Sequence, residues 1–431
     1  MSGTRPTRLG VVDIGSTTAT LALYHSGPAG FIDRFARMSE PLMLMRALGT
    51  GRSLPKEAFD RTVAAMVTFS RAARAHGVRE IVGVATSAVR DARNGEELLA
   101  AIRRESGIPV RLLDGEAEGR AAARSTLDTL PVTDGLMVDL GGGSLQLVHL
   151  VGGHAREVVS LPLGSARVSD AFLGTDPPTG AELTALRRHV EALLRPLPWL
   201  RGAPLLVGIG GTVRTLSKVD RRARKWPIGH GHGYRLTLDE ILAQVETSSR
   251  MRLVERAQIP GLPAHRAGTV VGGAIVLATL LRLAGLEEVL VSTYGIREGL
   301  ALPLLHGSHL IKDVRNAGLS GRFPDPSGAA AGAGEQAGVA FDHLAPSEAA
   351  APCWRPILVG AVRVACSGGD PTHLYAEPLQ GHTHAEILGM AALLGLAQDE
   401  VPPAVRRLFD AAVPQDRRAA VQPSARRPRA R

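Results

Sequence analysis

A repeated unit narrows the possible folds of this chain before any other property does. A short apolar strand, a glycine turn headed by aspartate and a second apolar strand occur twice. The first copy runs through Leu9–Ile14, the turn Asp13-Ile-Gly-Ser-Thr-Thr18 and Thr20–Tyr24. The second runs through Gly135–Leu140, the turn Asp139-Leu-Gly-Gly-Gly-Ser144 and Leu145–Val151. A third glycine turn, Gly208-Ile-Gly-Gly-Thr212, follows the strand-like run 204–207 and opens a helix. Glycine lets a backbone come close to an anion, and the N–H groups of such a turn can point at phosphate oxygens. The aspartate at its head can hold a divalent metal or its water. Repetition of the unit predicts two related α/β halves facing one cleft, with a phosphate held between them.

The segments between the turns agree. Residues 56–76 carry Phe59, Val63, Met66 and Val67 at helical spacing, Glu80–Ala85 reads as a buried strand, and Gly95–Glu105 as a helix. Val110–Leu113 reads as a strand and the stretch around Glu116–Leu127 as a helix. An apolar fraction of 45% in 431 residues supplies ample core and excludes a collagenous or wholly disordered chain. Aromatics are 3% of the chain, too few for the stacking platforms of a single-strand binder, so no nucleic-acid partner is expected. Two cysteines, Cys353 and Cys366, imply neither a disulfide framework nor a zinc site. The start, MSGTRPTRLGVVDIG, has no signal-peptide apolar region, and the run Thr269–Leu281 stops at Arg282, too short for a bilayer. A cytoplasmic location without a membrane partner is therefore expected. The formal charge of +9 divides unevenly: residues 416–431 hold six arginines and Asp416, or +5, leaving +4 for the rest. Global charge is thus no argument for a polyanionic ligand; local charge has to carry it.

Eight segments in order resemble the exopolyphosphatase/guanosine pentaphosphate phosphohydrolase (Ppx/GppA) phosphatase family. They are VVDIGSTT, ATSAVRDA (Ala85–Ala92), DGEAEGR (Asp114–Arg120), VDLGGGS, LPLGSARVSDAFL (Leu161–Leu173), GIGGT, HGYRLT (His232–Thr237) and STYGIREGL (Ser292–Leu300). The resemblance spans about residues 8–303 and implies an α/β fold of two actin-like, ribonuclease H-like lobes around a central cleft. Lobes at 1–128 and 129–310 are expected, followed by a flexible linker at 311–352, a small segment at 353–400 and an Arg-rich disordered tail at 401–431. The resemblance also implies a metal-dependent phosphohydrolase that releases terminal phosphate from linear polyphosphate, with Mg2+ as the ion and a homodimer as a form common among relatives.

Carried over residue by residue, the family's water-activating glutamate falls on Glu118, while Ala117 replaces the glutamate before it. Asp13, Gly15 and Ser16 match the first phosphate loop, with Thr17 where relatives have asparagine. Asp139, Gly141, Gly142, Gly143 and Ser144 match the second, and Gly210, Gly211 and Thr212 the third. Arg90 and Arg167 match arginines that the resemblance implies bind the phosphate chain, and Asp139 with Asp13 would hold the metal. Gln146 occupies the second catalytic position the resemblance implies, where the family's second loop ends in a glutamate beside the metal and the attacking water; it keeps hydrogen bonding but cannot take a proton or offset a cation. The residues leave guanosine pentaphosphate open as substrate. Gln146 and Ala117 also leave open a weakly active polyphosphate- or guanosine-polyphosphate-binding regulator. The run Arg221-Arg222-Ala223-Arg224-Lys225 reads equally as a solvated loop or an electrostatic funnel, Arg297 and Glu298 as salt-bridge formers, and His230, His232, His382 and His384 as structural.

Overall fold

The computed structural model describes residues 7–49, 51–325, 327–343, 353–376, 378–396, 401–414 and 417. They divide into two compact units: one of residues up to Trp226 with Tyr234–Leu310, the other of Pro227–Gly233 with the described residues from Ile311 on.

The first unit holds two sheets. β1 (Arg8–Ile14), β2 (Thr18–Ser26), β3 (Ile32–Pro41), β4 (Ile81–Ala85) and β5 (Val110–Leu112) lie in the order β3-β2-β1-β4-β5. β1, β2 and β3 form an antiparallel meander, and β4 and β5 add on in parallel. β6 (Gly135–Leu140), β7 (Leu145–Val151), β8 (His154–Leu161), β9 (Leu206–Ile209), β10 (Tyr234–Thr237) and β11 (Glu288–Val291) lie in the order β10-β11-β9-β6-β7-β8. Taken from β8, the second sheet repeats the first: a three-stranded meander, then two parallel strands, with β10 added at the edge. The expected duplication is present in the strand order itself.

Central strands β1 and β6 are continuous apolar runs, with Val11, Val12 and Ile14 or Leu136, Met137, Val138 and Leu140 all buried, as strands covered on both faces must be. Their counterparts at the sheet edges, β3 and β8, mix part-buried and exposed positions without regular alternation, a pattern too weak to stand out in the sequence. The apolar run ending at Arg282 becomes the helix Val270–Ala284, the buried centre of the second lobe. Among the described residues, no helix is long and apolar enough to cross a membrane.

Two helices cross over between the lobes. Gly115–Thr129, expected at the end of the first lobe, lies on β7 and β8 of the second sheet. Ile296–His306, expected in the second lobe, lies on β1 and β2 of the first. The two helices also touch each other, with Gly299 set against the Ala121 carbonyl.

The second unit corrects the sequence expectation. The stretch 311–352, expected as a linker from its Gly-Ala-Ser texture, contains helices Val314–Arg322 and Ala329–Asp342. In the second of these the small residues allow close packing, with Gly334 and Gly338 against Val359 and Arg363 or Arg355 of the helix Trp354–Ser367. The range 353–400 also holds the helix His384–Leu393, and the range expected as a disordered tail holds Pro403–Ala412. The arginines from Arg418 on lie outside the described residues. His230 and His384 stack edge to face at 5.1 Å within this unit.

Candidate active site

The aspartate-headed turns are built alike. In the first, the Gly15 N–H donates to the Thr18 carbonyl at 3.1 Å; in the second, Gly141 donates to Ser144 at the same distance. Each turn is then held from behind by a later segment. Leu42 and Met43 donate to the Thr17 carbonyl and Met45 to that of Ser16. In the second turn, Ser165 donates to the Gly141 carbonyl, while Ala166 and Arg167 donate to that of Gly142. With their carbonyls taken, the turns have backbone N–H groups and hydroxyls left for the cleft. The turns also abut: a Cβ on Gly143 would strike the Ser16 and Ser87 hydroxyls, and one on Gly142 the Thr17 hydroxyl. Ser16 and Ser87 themselves share a buried hydrogen bond of 2.8 Å.

Glu118 enters from the crossing helix. Asp114 caps that helix, accepting from the Ala117 N–H at 2.7 Å, so Glu118 stands in its first turn. Gly115 and Gly119, one turn apart, let the helix settle on Ser160 and Val158 of β8. Ala117, replacing the family's first glutamate, turns instead into an apolar cluster with Val84, Leu113 and Ile296. The Glu118 carboxyl is buried, and its Oε2 accepts no hydrogen bond; Arg90 Nη1 lies 3.6 Å away. Burial above all, then the charge of Asp139, with Arg90 opposing, pushes the Glu118 carboxyl up to about 8.

All of this opens into one cavity of about 600 Å3, lined by Asp13, Glu118 and Asp139, the glycines and serines of both turns, and Gly210 and Gly211. Burial raises Asp13 while Arg297 opposes, donating from Nη1 to Asp13 Oδ2 at 2.9 Å. Burial pushes Asp139 up to about 6, with Arg214 opposing and Asp13 adding to the rise. Facing these acids, the cavity carries Arg37, Arg214, Lys218, Arg266 and Arg297. Burial lowers Arg214, and the charges of Arg297, Arg37 and Arg266 lower it further. A compact anion between these cations would relieve that repulsion.

Most of the expected residues converge here, but not all. Arg90 lies outside the lining and holds Glu118 and the Leu113 carbonyl (2.7 Å). Arg167 is likewise outside it, stapling the second turn through Nε to the Gly143 carbonyl (2.7 Å) and pairing with Asp91. Thr212 is buried against Gly273. Gln146 is buried behind the turn, its Nε2 donating to the hydroxyls of Ser144 and Ser160, each at 3.0 Å. The 221–225 run ends its helix, where cations suit the dipole; Arg224 pairs with Glu240 and Asp220, and none of the run lines the cavity. Arg297 and Glu298 do form salt bridges, with Asp13 and Arg34 respectively.

Sequence reasoning missed Arg37, Arg214, Lys218 and Arg266. For two of them a signal existed: Gly210, Arg214 and Lys218 recur every four residues and so share one helical face. Arg37 alternates with Ser39 and Pro41 along β3, a strand not foreseen, and Arg266 ends a single 3-10 turn, Ala264–Arg266, too short to leave a pattern in the sequence.

Two duplicated α/β lobes with a cleft of glycine turns define a phosphate-handling, actin-like protein. A sequence profile of the Ppx/GppA phosphatase family matches residues 27–308, and the chain belongs to that family. It is accordingly a hydrolase of phosphoanhydride bonds. Exopolyphosphatase 1 of Mycobacterium tuberculosis is 32% identical over 301 residues, covering 68% of this chain and 87% of that protein. Exopolyphosphatase 2 of the same organism is 30% identical over 321 residues, covering 69% and 98%. An exopolyphosphatase from Cytophaga hutchinsonii superposes with a TM-score of 0.65 at 25% identity, covering 70% of this chain and 99% of its own. The Aquifex aeolicus family member gives 0.62 at 26% identity, covering 70% and 99%.

Proposed function

We propose that this enzyme releases orthophosphate from the end of linear polyphosphate, with water activated by Glu118. The observation that carries this reading is a buried carboxylate oxygen without a hydrogen-bond donor, in the same cavity as two aspartate-headed glycine turns and several arginines. In the deprotonated state Glu118 takes a proton from water as the water oxygen attacks the terminal phosphorus. The bond to the bridging oxygen breaks, and the shortened chain carries away the electron pair. The turn N–H groups and the Ser16 and Ser144 hydroxyls bind the terminal phosphate, and the arginines bind the rest of the chain. The matching names of the M. tuberculosis relatives support the substrate class.

The donor set fits a divalent ion of the Mg2+ type. Such ions take one or two carboxylates and complete their shell with water and phosphate oxygens. Among the described residues no three His, Cys, Asp or Glu side chains converge on one point, so the protein's share is a sparse one. Asp139 would hold the ion with Asp13 beside it, since Asp13 is already partly neutralised by Arg297. When bound, the ion would offset the crowded acids and the charge of the phosphate.

Guanosine pentaphosphate fits less well, because the described residues lining the cavity include no Phe, Tyr or Trp on which a guanine base would stack. Phosphate release by the purified protein from polyphosphates of several lengths, with guanosine pentaphosphate as competitor, tests the reading. Glu118→Gln should reduce the rate by about 10²–10⁴-fold, the usual worth of a general base. Retention of full rate would remove Glu118 from that role.

A further inference from the structure

Three side chains of the short helix Ser87–Asp91 reach three different parts of the site. Ser87 shares its buried 2.8 Å hydrogen bond with Ser16 of the first turn. Arg90 lies 3.6 Å from the Glu118 carboxyl. Asp91 lies outside the cavity lining and pairs with Arg167, on the helix Ser165–Phe172 of the second lobe. Arg167 donates from Nη2 to Asp91 and from Nε to the Gly143 carbonyl, the latter at 2.7 Å. Two acceptors from different lobes thus fix the plane of one guanidinium. The local sequence leaves that carbonyl unconstrained: it ends a run of three glycines at 141–143, the residue type with the most backbone freedom to lose. A peptide is planar and trans, so fixing the Gly143 carbonyl also fixes the direction of the Ser144 N–H.

We propose that Asp91 is a positioning residue: acting through Arg167, it holds the second turn in its working shape and ties that shape to the helix that carries Ser87 and Arg90. The inference rests on the polyphosphate reading above. Arginine is needed at 167 because its planar fork serves both acceptors at once, which a lysine ammonium cannot do with the same geometry. The proposal also reverses what the resemblance implies for Arg167. Loss of Asp91 would free a phosphate ligand to bind substrate more tightly, whereas it would loosen a staple.

The test is a double-mutant cycle in the full chain with two readouts: amide hydrogen exchange across residues 141–145, and steady-state phosphate release from polyphosphate. Asp91→Asn should speed exchange and lower kcat by about 2–5-fold each, the scale of a partly exposed ion pair, with KM unchanged. Arg167→Ala removes the charged donor from the carbonyl and should change both by about 10–100-fold. Adding Asp91→Asn to Arg167→Ala should change neither further, because the two residues act as one unit. Arg46→Ala is the control. It breaks the 3.2 Å pair with Asp170, which also joins the helix Ser165–Phe172 to the first lobe, and should leave both readouts as in the wild type. Unchanged exchange or a lowered KM in Asp91→Asn, losses that multiply in the double variant, or an equal loss in Arg46→Ala would overturn the proposal. Faster exchange with full kcat would overturn it as well. Exchange is read without substrate, so it still judges the staple if the wild type releases nothing from polyphosphate, a result that would fail the polyphosphate reading alone.

Discussion

In the first hairpin Asp13 stands across from Thr20, and Thr20 from Ser39; in the second, Asp139 stands across from Gln146, and Gln146 from Ser160. The outer pairs are also bonded alike: Thr20 and Ser39 share a 3.1 Å hydroxyl contact, and Gln146 donates to Ser160 at 3.0 Å. The hairpins part company at the aspartates. Arg297 reaches Asp13 at 2.9 Å from the crossing helix Ile296–His306, whereas Asp139 meets Arg214 only through its field. One duplicated scaffold thus presents a neutralised carboxylate on one side and an available one on the other. The two turns are equivalent in backbone and unequal in charge, so duplication of a fold does not duplicate the chemistry set on it.

The asymmetry can be removed from either side. The largest effect is expected from Asp139→Asn, with phosphate release falling by about 10²–10³-fold, the scale of a lost electrostatic stabiliser. The same change should raise Tm of the metal-free protein near neutrality. The sign follows from linkage: the folded-state pKa of about 6 exceeds the unfolded value of 3.8, so stability falls as pH rises through that window, and asparagine removes the loss. Next comes Asp13→Asn, which removes one of the two carboxylates, the other being Glu298, that offset buried Arg297, and should cost about 1–3 kcal/mol in denaturant unfolding.

A smaller effect concerns proton traffic. With Glu118 held near 8, kcat/KM should climb as pH rises through that value, because the base works deprotonated. Gln146→Glu places another buried carboxyl opposite Asp139 and should move this rise up by about one pH unit. A gain of activity at neutral pH in that variant would instead favour the weakly active regulator. The smallest effect is expected in the first hairpin, where Thr20→Val loses one hydroxyl contact and about 0.5–1.5 kcal/mol of stability by thermal unfolding.

Much of the scaffold was legible in the residues. Apolar runs around aspartate-headed glycine turns specify central strands, because a strand covered on both faces admits few polar residues and the turns demand glycine; hence 135–140 and 145–151 coincide with β6 and β7. Edge strands β3 and β8 were illegible, since a half-exposed strand needs no continuous apolar run. The 311–352 stretch misled for the opposite reason. Glycine and alanine weaken or leave neutral the local signal, yet Ala329–Asp342 is helical because small residues let it pack against Trp354–Ser367.

The repeated turns, the candidate base Glu118 and the acids Asp13 and Asp139 could all be read from the chain alone, because each is written into a local pattern of backbone need and residue chemistry. Which charges face them became visible only in three dimensions. Arg297 reaches Asp13 from 284 residues away, Arg37 and Arg266 meet at one cavity, and Arg167 turns from phosphate ligand to staple of the second loop. These are consequences of two crossing helices and a closed cleft. Electrostatic partnership depends on distance in space, on which separation along the chain is silent.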